Sequence, residues 1–309
     1  MFKTAKIAYR NLLRYTRRTL LTSILVIIGM VAVLVFIAVA GSFKQFMVGQ
    51  ITDSMLGHLQ IHRKGYVASI DGSPLNLNLN AKQLQKVTEV LDSEKRVTSY
   101  SMRLKFGGML SNFTETANIR LNGINPDQEL KTVPLLGQRI SGKEGQSEEP
   151  PSLKKGELWI PETLAKGMKI KVGAQVVLIA TNKDGSVNGV PLKVSGIVGA
   201  MTGPGGRDGY LNIQDANQLL RIKGGEVNEI VIRLNSFKGI EPVFKQLGKQ
   251  LSVLKNKNDK PVFEIHTWQK LSPFSNIANI IDLLTLFVKV ILIAIVLVSI
   301  MNVMLMAVY

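Results

Sequence analysis

His58 and His62 come nearest, among the residues of this chain, to a spacing that does chemistry. They stand four apart in GHLQIHRKGY, on one side of an extended segment, where two imidazoles could begin a metal site. A metal needs further ligands, and none is placed to help. The only other histidine is His266, and no acidic residue stands beside the pair, so packing or surface roles are expected. The run GPGGRDG, Gly203 to Gly209, has the glycine content of a phosphate cradle. It lacks the Lys-Ser/Thr ending that would hold phosphate and magnesium, and is expected to be a loop. Asn112-Phe113-Thr114 matches a glycosylation acceptor, a tripeptide common by chance. The chain has no cysteine, which removes thiolate ligands and cysteine nucleophiles. No nucleophile and base can be assembled by spacing. The chain is therefore expected not to be an enzyme, and no catalytic, cofactor-binding or metal residue is assigned. Asp282 and Lys289 remain. They lie seven apart, near one helical face, just before a long apolar run, and are expected to mark a membrane boundary, with Lys289 snorkelling to the headgroups.

The elements around them explain why charges are scarce there. LLTSILVIIGMVAVLVFIAVA, from Leu20, and VILIAIVLVSIMNVMLMAV, from Val290, are uncharged apolar runs at the two ends of the chain. About 20 residues at about 1.5 Å each cross a bilayer as a helix. The first run is too long for the apolar core of a cleaved signal peptide, and no small-residue cleavage site clearly follows it. Both are expected to span a membrane. Lys3, Lys6, Arg10, Arg14, Arg17 and Arg18 precede the first run, whereas only Lys44 follows closely. The positive-inside rule then places the N-terminus in the cytoplasm and the long middle segment outside. That segment can build a real core without disulfides. The net charge of +16 would point to nucleic acid in a soluble protein. Between Gly57 and Gln269, however, 29 Lys and Arg stand against 20 Asp and Glu, so about half of the excess is exported. A basic surface facing anionic headgroups accounts for it.

The fold expected is an α+β membrane protein, its two spans extended outward as stalks around a mixed α/β domain that carries a β-rich insertion. Residues 1–18 read as an interfacial amphipathic helix and 19–56 as the first span and its stalk. The stalk continues the helical stripe through Phe43, Phe46, Met47 and Ile51, and Gly57 ends it. Residues 57–266 form the outer domain, with the insertion at about 142–225 after a polar, punctuated loop. In 267–309, Pro273 sits near a helix start, and Ile277, Ile281 and Leu284 recur at helical spacing before the second span. These stalk residues are the candidates for a dimer interface. Within the domain, Asn80 caps a helix to about Leu91, segments around Ser99–Phe106 and Ala117–Ile124 alternate as strands, and Asn182–Gly185 (NKDG) is a hairpin turn.

Several segments, taken in order, resemble one family. AYRNLLRYTRRTLLTSILVIIG, GHLQIHRKGY, RLNGINPDQE, LAKGMKIKVG and MNVMLMAVY are similar to stretches at corresponding places in the ABC-transporter permeases of the MacB, LolC/LolE and FtsX type. The resemblance covers nearly the whole chain. It implies four membrane helices with the outer domain between the first two, so the third and fourth are expected beyond Tyr309. It implies a bacterial inner-membrane location and a dimer with a second permease copy or paralogue. It also implies a cytoplasmic ABC ATPase holding ATP and Mg²⁺, contact with membrane lipid, and a periplasmic carrier or adaptor protein, with no nucleic acid. Mechanotransmission would let ATP hydrolysis move the outer domain to extract or export a lipoprotein, lipid or hydrophobic compound. Three alternatives stay open: a two-span sensor, an FtsX-like regulator of a cell-envelope enzyme, and a membrane-anchored assembly factor.

Overall fold

The computed structural model describes residues 16–72, 74–142, 153–200, 207–255, 259–272 and 275–308. The chain divides into two compact units, one of residues 1–48 and 274–309, the other of residues 49–273. The interfacial helix expected before Thr16, Pro273, most of the polar loop after Gly142 and Gly203 to Gly206 fall outside the described residues.

The first unit holds two long helices. Helix α1, Thr16–Ile51, is a single run rich in Leu, Ile, Val and Ala, and a π-type turn, Thr52–Leu56, prolongs it. The last helix, Ser275–Val308, is equally apolar. Helix α1 with its π-type turn, and the last helix, each hold a stretch long and apolar enough to cross a membrane, Val26–Leu56 and Ser275–Val298. No fold-internal surface covers their flanks: Leu34, Val35, Leu286 and Phe287 are exposed. A helix apolar all round and uncovered belongs in lipid.

The second unit is built on one ten-stranded sheet. Its strands are β1 Leu59–Arg63, β2 Val97–Ser111, β3 Thr116–Ile124, β4 Ile140–Ser141, β5 Glu157–Pro161, β6 Gln175–Thr181, β7 Val187–Val198, β8 Asp208–Asn212, β9 Glu229–Leu234 and β10 Phe263–Thr267. Helices intervene at α2 Ala81–Ser93, α3 Pro126–Thr132, α4 Leu135–Gln138, α5 Glu162–Gly167, α6 Ile213–Leu219, α7 Ile240–Ser252 and α8 Trp268–Leu271, which makes the membrane helix at the end α9. The strand order is β10-β1-β9-β2-β3-β8-β5-β7-β4, and β6 pairs with both β7 and β2. The second pairing closes a ring: β2-β3-β8-β5-β7-β6 returns to β2 as a six-stranded barrel. Closure removes the exposed edges that such short strands would otherwise present.

Strand β2 belongs to both halves. Its first half pairs with β9 in the open sheet and its second half with β3 and β6 in the barrel. The expected β-rich insertion is present, and it closes on β2 and β3 rather than standing apart. Its interior is aliphatic, with Leu110, Leu121, Leu178, Leu192, Val194 and Leu211 all essentially inaccessible. Asn182 anchors the β6–β7 turn, its Oδ1 accepting from the N–H groups of Asp184 and Ser186. The glycine-rich run does not remain loop to its end, since Asp208 and Gly209 open β8, parallel to β3.

The open sheet is covered on both faces. Asn80 caps α2 in a reciprocal capping box with Gln83, and α2 buries Leu84, Val87 and Leu91. Helix α7 buries Ile240, Val243, Leu247 and Leu251 and packs on α2 and β10. Alternation along β1 and β9 puts Leu59, Ile61, Ile230 and Ile232 on one face. The other face carries Gln60, His62, Glu229, Val231 and Arg233; it lies beneath α3, and α4 packs on α3 and the π-type turn.

Candidate functional site at the stalk root and the buried charge joint

Two places on that polar face concentrate unusual chemistry. The first is where the helix emerging from α1 joins the domain. Thr52, Ser54, Ile51 and Leu56 are buried, and Asp53 accepts from Arg233 of β9 at 2.8 Å. Gly57 closes the π-type turn, its N–H donating to Thr52 O at 2.9 Å from a backbone at φ 65°. The Gln60 amide donates back to Leu56 O at 2.9 Å. The returning chain ends at the same spot, because Trp268 N–H donates to His58 O at 3.2 Å. The outgoing and returning chains are thus hydrogen-bonded neighbours where they leave the domain.

His58 is a structural member of this root. Its Nδ1 accepts the Leu234 N–H at 3.0 Å, and its ring lies 4.4 Å from that of Phe237. Burial, reinforced by the nearby Arg233 guanidinium, pulls its pKa down to about 4. The folded state therefore favours the neutral ring. The stability this gives is complete above the ordinary histidine pKa of 6.5 and is lost as pH falls from there to about 4, a change on the order of 3 kcal/mol. Thermal midpoints measured across that window should fall in the parent protein. His58→Asn keeps an acceptor for Leu234 but no titrating ring, so its midpoint should fall less steeply, and equal slopes would remove His58 from the account.

The second place lies where open sheet and barrel share β2. Arg103, only 2% exposed, donates through Nε to Glu129 of α3 and through a terminal nitrogen to Glu229 of β9 at 2.8 Å. Ser101 also donates to Glu129, and Lys105 reaches Glu229 at 3.2 Å. His62 Nε2 stands 3.5 Å from Glu229, and the Tyr66 ring stacks on the imidazole at 5.2 Å. Burial would push Glu229 up, yet Lys105, His62 and Arg103 together hold it well below the usual carboxylate range. Tyr66, buried and close to Glu229, is pushed up. The result is a neutralised, water-poor knot of two cations and two carboxylates joining α3, β2 and β9.

Neither place assembles a catalytic group. His58 and His62 go to different partners, one to the root and one to the knot. Among the described residues no three metal-capable side chains come together. The glycosylation-type tripeptide forms the β2–β3 turn, where Asn112 Oδ1 accepts from the backbone N–H groups of Thr114 and Glu115.

The candidate stalk residues separate into groups. Phe43 and Phe46 on α1 and Ile277 and Leu284 on α9 are exposed, whereas Met47 and Ile281 are half-covered and Ile51 is buried in the root. Ala38, Val39, Ser42, Phe43 and Phe46 line an open apolar groove of about 470 Å³. Asp282 is ion-paired with Lys44, and Lys289 is exposed. Spacing had identified neither Arg103, Glu129 and Glu229 as partners nor Lys44 as the partner of Asp282. The one available signal was the presence of charges inside otherwise apolar strands, such as Glu229 before IVIRL.

Two span-length apolar helices on either side of a mixed α/β domain give the layout of a membrane protein. Residues 19–250 match the model of the MacB-like periplasmic core domain, and the chain belongs to that family, the outer-domain family of MacB/FtsX-like ABC-transporter permeases. Among solved structures, the periplasmic region of MacB from Actinobacillus actinomycetemcomitans matches at 15% identity and a TM-score of 0.47, covering 69% of this chain and 89% of that one. The extracellular domain of the noncanonic ABC-type transporter YknZ from Gram-positive bacteria is 13% identical at a TM-score of 0.44, covering 68% and 98%. A domain of a permease protein from Porphyromonas gingivalis is 14% identical at 0.40, covering 70% and 88%. A comparison with curated proteins found no match.

Proposed function

We propose that this chain is the permease subunit of an ABC transporter in which ATP hydrolysis by a cytoplasmic ATPase moves the outer domain. The observation that carries the proposal is the stalk root. A single helix from Thr16 to Ile51 enters the domain through a buried turn fixed by Asp53–Arg233, beside the chain returning to α9. A helix rooted this way transmits displacement, because packed interiors shift as units rather than deform. The ATPase holds ATP and Mg²⁺. The permease, with its N-terminus cytoplasmic and acting as a dimer with a second copy or paralogue, handles a lipoprotein, lipid or hydrophobic compound, with a periplasmic carrier or adaptor as acceptor. Phe43, Phe46, Ile277 and Leu284 offer the apolar, uncovered stalk surface that such a dimer needs.

Phe46→Asp and Ile281→Asp test this reading. Each is expected to lower transport at least tenfold while the ATPase still co-purifies with the protein expressed from its own locus. Normal transport by both variants would end the lever reading. Failure of any ATPase to co-purify with the parent would end the permease reading itself.

A further inference from the structure

Helices α1 and α9 carry three charges between Thr19 and Ile51 and between Ser275 and Val308: Lys44, Asp282 and Lys289. Asp282 of α9 meets Lys44 of α1, Lys44 Nζ with Asp282 Oδ2, 238 residues away in sequence. Lys289 has no acidic partner among the described residues.

The covering of the two helices shows how they meet. On α1 the half-covered positions include Gly29, Val33, Ile37, Ala40, Lys44 and Met47, at intervals of 4, 4, 3, 4 and 3. On α9 they include Ala278, Ile281, Thr285, Val288, Leu292 and Val296, whose intervals read backwards are the same 4, 4, 3, 4 and 3. Matching intervals in opposite chain directions describe an antiparallel seam with about a seven-residue period. In that register Lys44 meets Ile281 and its neighbour Asp282, Ala40 meets Thr285, and Ile37 meets Val288 and its neighbour Lys289.

Such a seam does not fix its own register. Val, Ile, Ala and Leu pack nearly as well after a slide of one heptad, about 10 Å along the axis. The charges do distinguish the two. In the observed register Lys44 faces Asp282. Slid by seven residues, it would face Lys289, which lies on the same side of α9 as Asp282. We propose that Lys44, Asp282 and Lys289 form a charge code that selects the register in which the two spans pair, attraction marking the right alignment and repulsion the next one. Hydration does not erase the code. From Arg18 to the level of Lys289 is 19 residues of α1, about 28 Å, one hydrocarbon thickness. The Lys44–Asp282 pair then sits about 10 Å beyond the outer boundary, whereas Lys289 lies at it, where a like charge is poorly screened.

The code is independent of the permease reading, and so is its test. The chain has no cysteine, which makes paired cysteines clean reporters. In membranes, Ala40→Cys/Thr285→Cys reports the observed register and Ala40→Cys/Leu292→Cys the shifted one. The parent background should crosslink the first pair at least fivefold better than the second. Asp282→Lys should lower the first yield several-fold, and reversing all three charges, Lys44→Asp/Asp282→Lys/Lys289→Asp, should restore it, because attraction then again marks the observed register and repulsion the slid one. Asp282→Lys/Lys289→Asp moves the acid one heptad along α9, so the second pair should become the better reporter. Yields unchanged within twofold in Asp282→Lys and in Asp282→Lys/Lys289→Asp would overturn the proposal. A loss in Asp282→Lys that the threefold reversal does not restore would overturn it equally, since that reports damage rather than charge.

Discussion

Arg103→Met should destabilise the outer domain by about 3–5 kcal/mol, the usual result of deleting one partner from a buried ionic group. The arginine is 2% exposed and supplies charge to two carboxylates on different elements, Glu129 on α3 and Glu229 on β9. The loss falls unequally on them. Glu229 retains Lys105 at 3.2 Å, whereas among the described residues Glu129 retains the Ser101 hydroxyl alone. Methionine fills most of the vacated volume, so the cost reports the stranded charge rather than a cavity. Adding Glu129→Gln to the variant should return about 1–2 kcal/mol, because an amide in that position needs no counter-charge. The urea midpoint of the domain, followed for the parent, the single and the double variant, measures both quantities. A single variant within about 1 kcal/mol of the parent would mean that the knot does not hold α3 to the sheet.

That knot was hidden in the sequence for a physical reason. Arg103 and Glu229 lie directly opposite each other in the β2–β9 ladder, 126 residues apart, and nothing local to either announces the pairing. In a strand, an alternating charge reads as a solvent-facing position, and only the covering by α3 makes it interior. The barrel was hidden in the same way, because its closure depends on β2 meeting β6 and on β3 running parallel to β8, both long-range pairings. Strand β8 carried the further disguise of a glycine-rich lead-in. What local chemistry controls was legible. The capping box of Asn80 and Gln83, the aliphatic face of α2, the Asn182 turn and the glycine at the end of the stalk each follow from two to four neighbouring residues. The long helices were legible because lipid demands one composition along their whole length. Which side of each faces the other was not, since almost every position is apolar. The half-covered stripe of α1 runs through Ala40, Lys44 and Met47, while Phe43 and Phe46 are exposed and available to the expected dimer partner.

Gly57→Ala should detach the stalk from the sheet while leaving both aliphatic cores in place. Gly57 adopts φ 65°, ψ −169°, a backbone region that glycine occupies freely and other residues at a cost of about 1–3 kcal/mol. Space is the larger obstacle. A Cβ there would lie 2.4 Å from Val231 Cγ1 and 2.9 Å from Ile232 O, the carbonyl that accepts the His58 N–H in the next step of the ladder. Moving the backbone away to relieve the contact breaks the bonds that define the root, Gly57 N–H to Thr52 O and His58 N–H to Ile232 O. The combined effect should exceed about 3 kcal/mol locally, and the proposed lever should slip, with transport falling at least tenfold. Gly65→Ala is the matched control. Its φ of 89° imposes a similar conformational demand, but no heavy atom stands within 4 Å of the added carbon, so a cost of about 1 kcal/mol is expected. Limited proteolysis between Gly49 and His58 separates the two, since only the Gly57 variant should expose that stretch to cleavage. Val231→Ala in the Gly57→Ala background removes the nearest obstructing methyl and should restore part of the protection. If Gly57→Ala proves as resistant as Gly65→Ala, the helix is not rooted where His58 joins β9, and the path from span to domain must run through α8 instead.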